Sequence, residues 1–151
     1  KGNEGVSSYV NRMKNSIGYV EYAYAKQNNM SHTALKNAAG NFVQPSAETF
    51  AAAGDIDWSK EEGFYKVITN SETAQAWPIA AATFILVHKQ PENPQQVAGV
   101  LNFFDWAYTE GGDDAMALDY VPFSETAVAL FRAKWNDVKG SDGQPVYKPA
   151  Q

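Results

Sequence analysis

The chain has 151 residues, 12 Lys and Arg against 17 Asp and Glu for a formal charge of −5, no cysteine, and 44% hydrophobic and 13% aromatic residues. This composition excludes a disordered or collagen-like segment, and scattered cations on an acidic chain speak against nucleic-acid binding, which uses a basic face. Without cysteine there is no disulfide framework, thiolate metal site or thiol nucleophile.

A domain of this length buries roughly 70% of its unfolded surface, enough for a core. The start, Lys1-Gly2-Asn3-Glu4-Gly5, has no basic n-region and no apolar h-region, so it does not read as a signal peptide. The expectation is a processed chain or a piece of something longer. No run approaches the ~18 apolar residues of a membrane helix. The longest, around residues 79–87, is interrupted by Thr83.

Asn3 reads as a helix cap with Glu4 in the first turn, and Val6, Tyr9, Val10 and Met13 follow at helical spacing. Residues 17–24 are rich in β-branched and aromatic types. They predict a strand with Val20, Tyr22 and Tyr24 on one face and Tyr19, Glu21 and Ala23 on the other. A short strand is expected over 33–36, then a Gly40-Asn41 turn into Phe42-Val43. Ser46 opens a short helix through Phe50 and Ala53, and residues 64–69 predict another strand. Residues 83–87, nearly all apolar, predict a strand buried on both faces of a sheet.

Asn93-Pro94 supplies an N-cap and N1 pair for a helix with Val97, Val100, Leu101, Phe104 and Tyr108 on one stripe, stopped at Gly111-Gly112. A short acidic helix over 113–118 follows. Ser124 caps a last helix with Val128, Phe131, Trp135 and Val138 inward, and the polar tail 140–151 reads as extended. Helices alternating with apolar strands give an α/β class. The composition shifts once, near Ala76-Trp77-Pro78, which suggests two parts hinged there.

Few residues point to chemistry. His32 and His88 stand alone, outside any metal-binding spacing. There is no G-x-S-x-G elbow and no glycine-rich nucleotide loop. Asp55/Asp57 and Asp113/Asp114/Asp119 lack the alternating ligands, central glycine and closing glutamate of a calcium loop; helix-terminal charge and solvated turns account for them. Glu21, in an otherwise apolar strand, must be paired, partly solvated or shifted in pKa, with a structural ion pair the plainer reading. The helical stripes absorb most aromatics and leave Trp77 and Trp106 as cleft or contact candidates.

Four segments carry a resemblance: residues 1–6; the run Ile17-Gly18-Tyr19-Val20-Glu21-Tyr22-Ala23-Tyr24-Ala25-Lys26-Gln27-Asn28-Asn29; Ala76-Trp77-Pro78-Ile79 with Thr83-Phe84-Ile85-Leu86; and Phe103-Phe104-Asp105-Trp106-Ala107-Tyr108. Over residues 1 to about 147 the chain resembles the periplasmic phosphate-binding proteins of bacterial ABC-type phosphate importers, in their C-terminal half. The resemblance implies a periplasmic-binding-protein-like (type II) α/β fold to which this chain contributes parts of both lobes. Residues 1–76 would be the later part of the second lobe, and residues 77–151 a crossing strand and the completion of the first. It also implies inorganic phosphate held between lobes by hinge closure, the N-terminal half and a membrane permease as partners, a periplasmic location, no cofactor and no enzymatic activity.

The family's phosphate ligands, including an S-G-T stretch, an Arg and an Asp, lie in the N-terminal half. This chain has no Ser-Gly-Thr, and its only arginines, Arg12 and Arg132, match no ligand. No direct ligand transfers. Gly2 and Asn3, at a helix start whose N–H groups favour anions, and Tyr22 are cleft-lining candidates, against plainer roles in capping and in the core. The rivals are a binder of another oxyanion or small solute on the same scaffold, a small hydrolase using Glu21 or Asp55/Asp57, and a lobe that stands alone as a binding module.

Overall fold

The computed structural model describes residues 1–148. Helix dominates: α1 (Gly2–Arg12), α2 (Tyr22–Gln27), α3 (Ala47–Gly54), α4 (Pro94–Thr109), α5 (Gly112–Ala117) and α6 (Glu125–Lys134). Single 3-10 turns lie at Trp58–Lys60, Glu62–Phe64 and Trp135–Asp137. Among the described residues the one sheet is the antiparallel pair β1 (Leu35–Lys36) and β2 (Phe42–Val43), with Leu35 opposite Val43.

The helix boundaries follow local chemistry. Ser46 caps α3 in a reciprocal box with Thr49. Asn93 Oδ1 accepts the Gln96 N–H ahead of Pro94, and Ser124 Oγ accepts the Ala127 N–H. The expected Asn3 cap is corrected: α1 starts at Gly2 behind Lys1, with no side-chain cap. Asn3 Oδ1 instead accepts the Glu21 N–H at 3.1 Å and ties α1 to the start of α2.

Three expected strands are absent. Residues 17–21 are irregular and Tyr22–Gln27 is helical. Tyr22 and Tyr24 favour extended backbone only where a neighbouring strand rewards it; without one, Ala23, Ala25, Lys26 and Gln27 decide for helix. The expected strand 64–69 begins in a 3-10 turn and continues as unpaired chain. Residues 83–87 form no strand, and Leu86 is 94% exposed. Of the strand expected at 33–36, Leu35–Lys36 forms. The tail is not simply extended. Val146 N–H bonds Val138 C=O, Gly140 N–H bonds Gln144 C=O, and Lys139 bridges Pro145. Its last residues, 149–151, lie outside the described residues.

Two apolar clusters hold the chain. The first gathers Val43, Ala53, Trp58, Ile68, Ala76, Trp77, Ala80 and Ala127. The second is Leu101, Val138 and Tyr147, with Val97 and Trp135 against them. A chain of aromatic contacts bridges the two. Trp58 meets Phe131 edge-on at 6.1 Å, and Phe131 lies tilted against Tyr108 at 6.3 Å. Tyr108 then stacks on Trp135 at 6.2 Å, and Trp135 meets Tyr147 edge-on at 4.8 Å. Trp77 belongs to the core, whereas Trp106 lies half exposed against Phe103. Asn37, buried in the hairpin, is satisfied by donating to the Ala74 and Ala76 carbonyls.

Candidate functional site

One large cavity of about 1540 Å³ opens between α1, the 17–23 segment, α3 and the chain at 77–83 and 118–130. Its walls are mainly apolar: Val6 and Val10 of α1, Phe50 of α3, Trp58, Trp77 and Phe123. Gly18 passes directly over α1. A Cβ there would stand 2.8 Å from a Val6 methyl and 2.9 Å from a Val10 methyl, so the 17–21 wall depends on that glycine.

Of the three cleft candidates, Tyr22 lines this cavity and Gly2 and Asn3 do not. Position 22 opens α2, which turns the ring between His32 at 5.7 Å and Phe50 at 5.5 Å, both edge-on. Gly2 is exposed at the start of α1 with φ of 79°, and Asn3 is occupied by the Glu21 amide. Sequence spacing carries no sign of the Tyr22–His32–Phe50 group, because its members come from three separate segments.

The carboxylates of the hydrolase rival are also on the cavity wall: Glu21, Asp55 and Asp57. Glu21 is not a carboxylate inside a buried strand, as expected; it is exposed and precedes α2. Asp57 accepts the Ser59 N–H at 3.2 Å and pairs with Lys60 at 3.0 Å. The hydrogen bond from the Ser59 hydroxyl first, then Lys60, hold its carboxyl below the usual range. That keeps it charged, the opposite of what a general acid at neutral pH needs. Asp119, at φ 63°, also reaches the cavity and pairs with Lys26 at 2.6 Å.

Among the described residues no Lys or Arg lines the cavity. Arg12 donates to the Ser8 carbonyl and lies over the Tyr9 ring. Arg132 is held by Asp105 Oδ1 at 2.6 Å and by Thr109 Oγ1 at 2.7 Å. Two of the four carboxylates, Asp57 and Asp119, are paired with Lys60 and Lys26, and no Lys or Arg side chain is on the wall to meet an anion directly. No group of metal-ligating side chains occurs among the described residues, and none of their helices is long and apolar enough to cross a membrane.

No protein-family model matches the chain. Individual proteins do. It is 49% identical over 150 residues to the phosphate-binding protein PstS of Pasteurella multocida, covering 98% of this chain and 44% of that protein. It is 52% identical to PstS of Haemophilus influenzae over 136 residues, 89% of this chain and 41% of the relative. To PstS of Xylella fastidiosa strain 9a5c it is 53% identical over 89% of this chain and 37% of the relative. The chain thus spans less than half the length of the curated relatives it matches, and over nearly all of its own length it is a relative of the PstS phosphate-binding proteins.

Proposed function

We propose that this chain is the C-terminal part of a periplasmic solute-binding protein that delivers inorganic phosphate to the permease of an ABC importer. The observation that carries the reading is identity near one half to several phosphate-binding proteins along most of the chain. In this reading phosphate closes between two lobes of a periplasmic-binding-protein-like (type II) fold. Residues 1–76 belong to the second lobe, and residues 77–151 cross back and complete the first. One cluster follows this division, since the Leu101, Val138 and Tyr147 group lies wholly after residue 77; the other joins Val43–Ala76 to Trp77, Ala80 and Ala127 from the second part.

The ligand groups come from the part of the protein this chain does not span, and its own cation-free cavity supports that. In this reading Tyr22, which lines the cavity, and Gly2 and Asn3 at the start of α1, which lie off it, are its contributions to the wall of the cleft between lobes. In this reading the protein is a carrier and not an enzyme, which the names of the relatives as phosphate-binding proteins support.

Isothermal titration with inorganic phosphate tests the reading. The 151-residue chain alone is expected to show no heat of binding at micromolar concentration. The same chain grafted in place of the matched region of the P. multocida relative is expected to bind. Micromolar or tighter binding by the isolated chain would overturn the proposal.

A further inference from the structure

Asp119 stands where a helix ending of its kind calls for glycine. Behind α5 the Asp119 N–H bonds the Met116 carbonyl and the Tyr120 N–H bonds the Ala115 carbonyl, the two bonds of a Schellman stop. The residue between them takes left-handed backbone, here φ 63°, which strains a side chain with a Cβ and which Asp and Asn tolerate better than most. The side chain held there has a partner far away in sequence. Asp119 Oδ1 accepts Lys26 Nζ at 2.6 Å across 93 positions, with the Asp119 side chain 10% exposed and that of Lys26 61%.

Among the described residues three hydrogen bonds join residues 1–76 to the rest of the chain. Two are on the connection itself, from the Trp77 N–H to the Thr49 carbonyl and from the Asn70 N–H to the Pro78 carbonyl. Apolar packing crosses there too, where Trp77, Ala80 and Ala127 meet Val43, Ala53 and Trp58. Lys26–Asp119 is the third, remote from the connection, and among the described residues it is the only ion pair between the two parts. The cavity lies between these parts, with Val6, Val10 and Phe50 on one side and Phe123 and Leu130 on the other. Asp119 is on its wall and Lys26 stands off it, so the pair spans the edge of the opening. Rotation of one part against the other about 76–78 keeps the contacts at the pivot and draws Lys26 away from Asp119.

We infer that Lys26 and Asp119 form a latch between the two parts, which holds them together over the cavity and biases the protein toward its closed arrangement. The inference rests on the proposed phosphate-binding reading for the ligand that closure serves. An ion pair with a largely exposed Lys supplies a bias of roughly two- to tenfold. That bias raises ligand affinity by raising the share of molecules already in the competent arrangement.

The chimera described above is compared with its Lys26→Met and Asp119→Asn variants and with the double variant. Asn keeps the left-handed stop behind α5 and removes the charge. Each single variant is expected to bind inorganic phosphate roughly two- to tenfold more weakly by titration calorimetry. Phosphate-free X-ray scattering is expected to give each a larger radius of gyration. The double variant is expected to lose no more than the weaker-binding single one, because one pair accounts for both losses. An unchanged radius, unchanged or tighter binding in a chimera that takes phosphate, or losses that add in the double variant would each overturn the inference. So would variants that fail to fold, since the pair would then belong to the folded core and not to a movable contact. A chimera that binds no phosphate but expands with either substitution leaves the latch standing and overturns the functional reading instead.

Discussion

Gly18 packs closely on the cavity wall, because a Cβ there would stand 2.8 and 2.9 Å from two β-branched methyls of α1. Gly18→Ala forces α1 and the 17–21 segment apart, at an expected cost of about 1–3 kcal/mol in urea unfolding. Gly99, around which a Cβ meets nothing, serves as the control; as a mid-helix glycine its alanine variant is expected to be neutral or stabilising. Two tyrosines carry a pH signature. Burial, and then a hydrogen bond to Asp105, push the Tyr147 hydroxyl above its ordinary 10.0, and burial does the same for Tyr108. A raised folded pKa contributes stability that is complete below about pH 10 and is lost as the pH climbs through the folded value. Tyr147→Phe is therefore expected to flatten the alkaline loss of stability and to delete a late step from the ultraviolet phenolate titration. Asp57 and Asp137 have the opposite sign. The Ser59 bond lowers one, and the Lys134 hydrogen bond and charge lower the other, so their contribution fades only as pH falls below about 3.8.

At the scale of elements, α4 and α6 are joined by one polar clamp. Arg132 donates to the Asp105 carboxylate, the Asp105 carbonyl and Thr109. Arg132→Ala leaves a half-buried Asp105 without its cation. The expected loss is about 1–3 kcal/mol by thermal melting, with Asp105→Asn milder because it retains an acceptor. These helices are legible in the sequence because their signals are local: Asn93-Pro94, Ser124 and the Leu101 stripe act within a turn or two of the chain. Asn3 departs from its expected capping role for a non-local reason, since its side-chain oxygen is taken by an amide at position 21. The strand expected at 17–24 is absent for the same kind of reason. Its aromatic and β-branched residues describe a fit to neighbouring strands, and among the described residues none pairs with it.

For the whole molecule the sharpest expectation is thermodynamic linkage. Phosphate at about 100 times its dissociation constant is expected to stabilise the chimera by about 2.7 kcal/mol in thermal melts and to leave the isolated chain unmoved. A shift in the isolated chain would show that a phosphate site is complete within these 151 residues. Most helix positions, two of the caps and the family resemblance are legible from residue order, since each depends on neighbours a few positions away or on long characteristic runs. The cavity, the four carboxylates on its wall, the grouping of Tyr22 with His32 and Phe50, and the unpaired backbone of 79–88 are not. Those features arise where distant segments meet or fail to meet. A strand exists only when another segment accepts its hydrogen bonds, so its presence is decided by tertiary contacts that no local pattern contains.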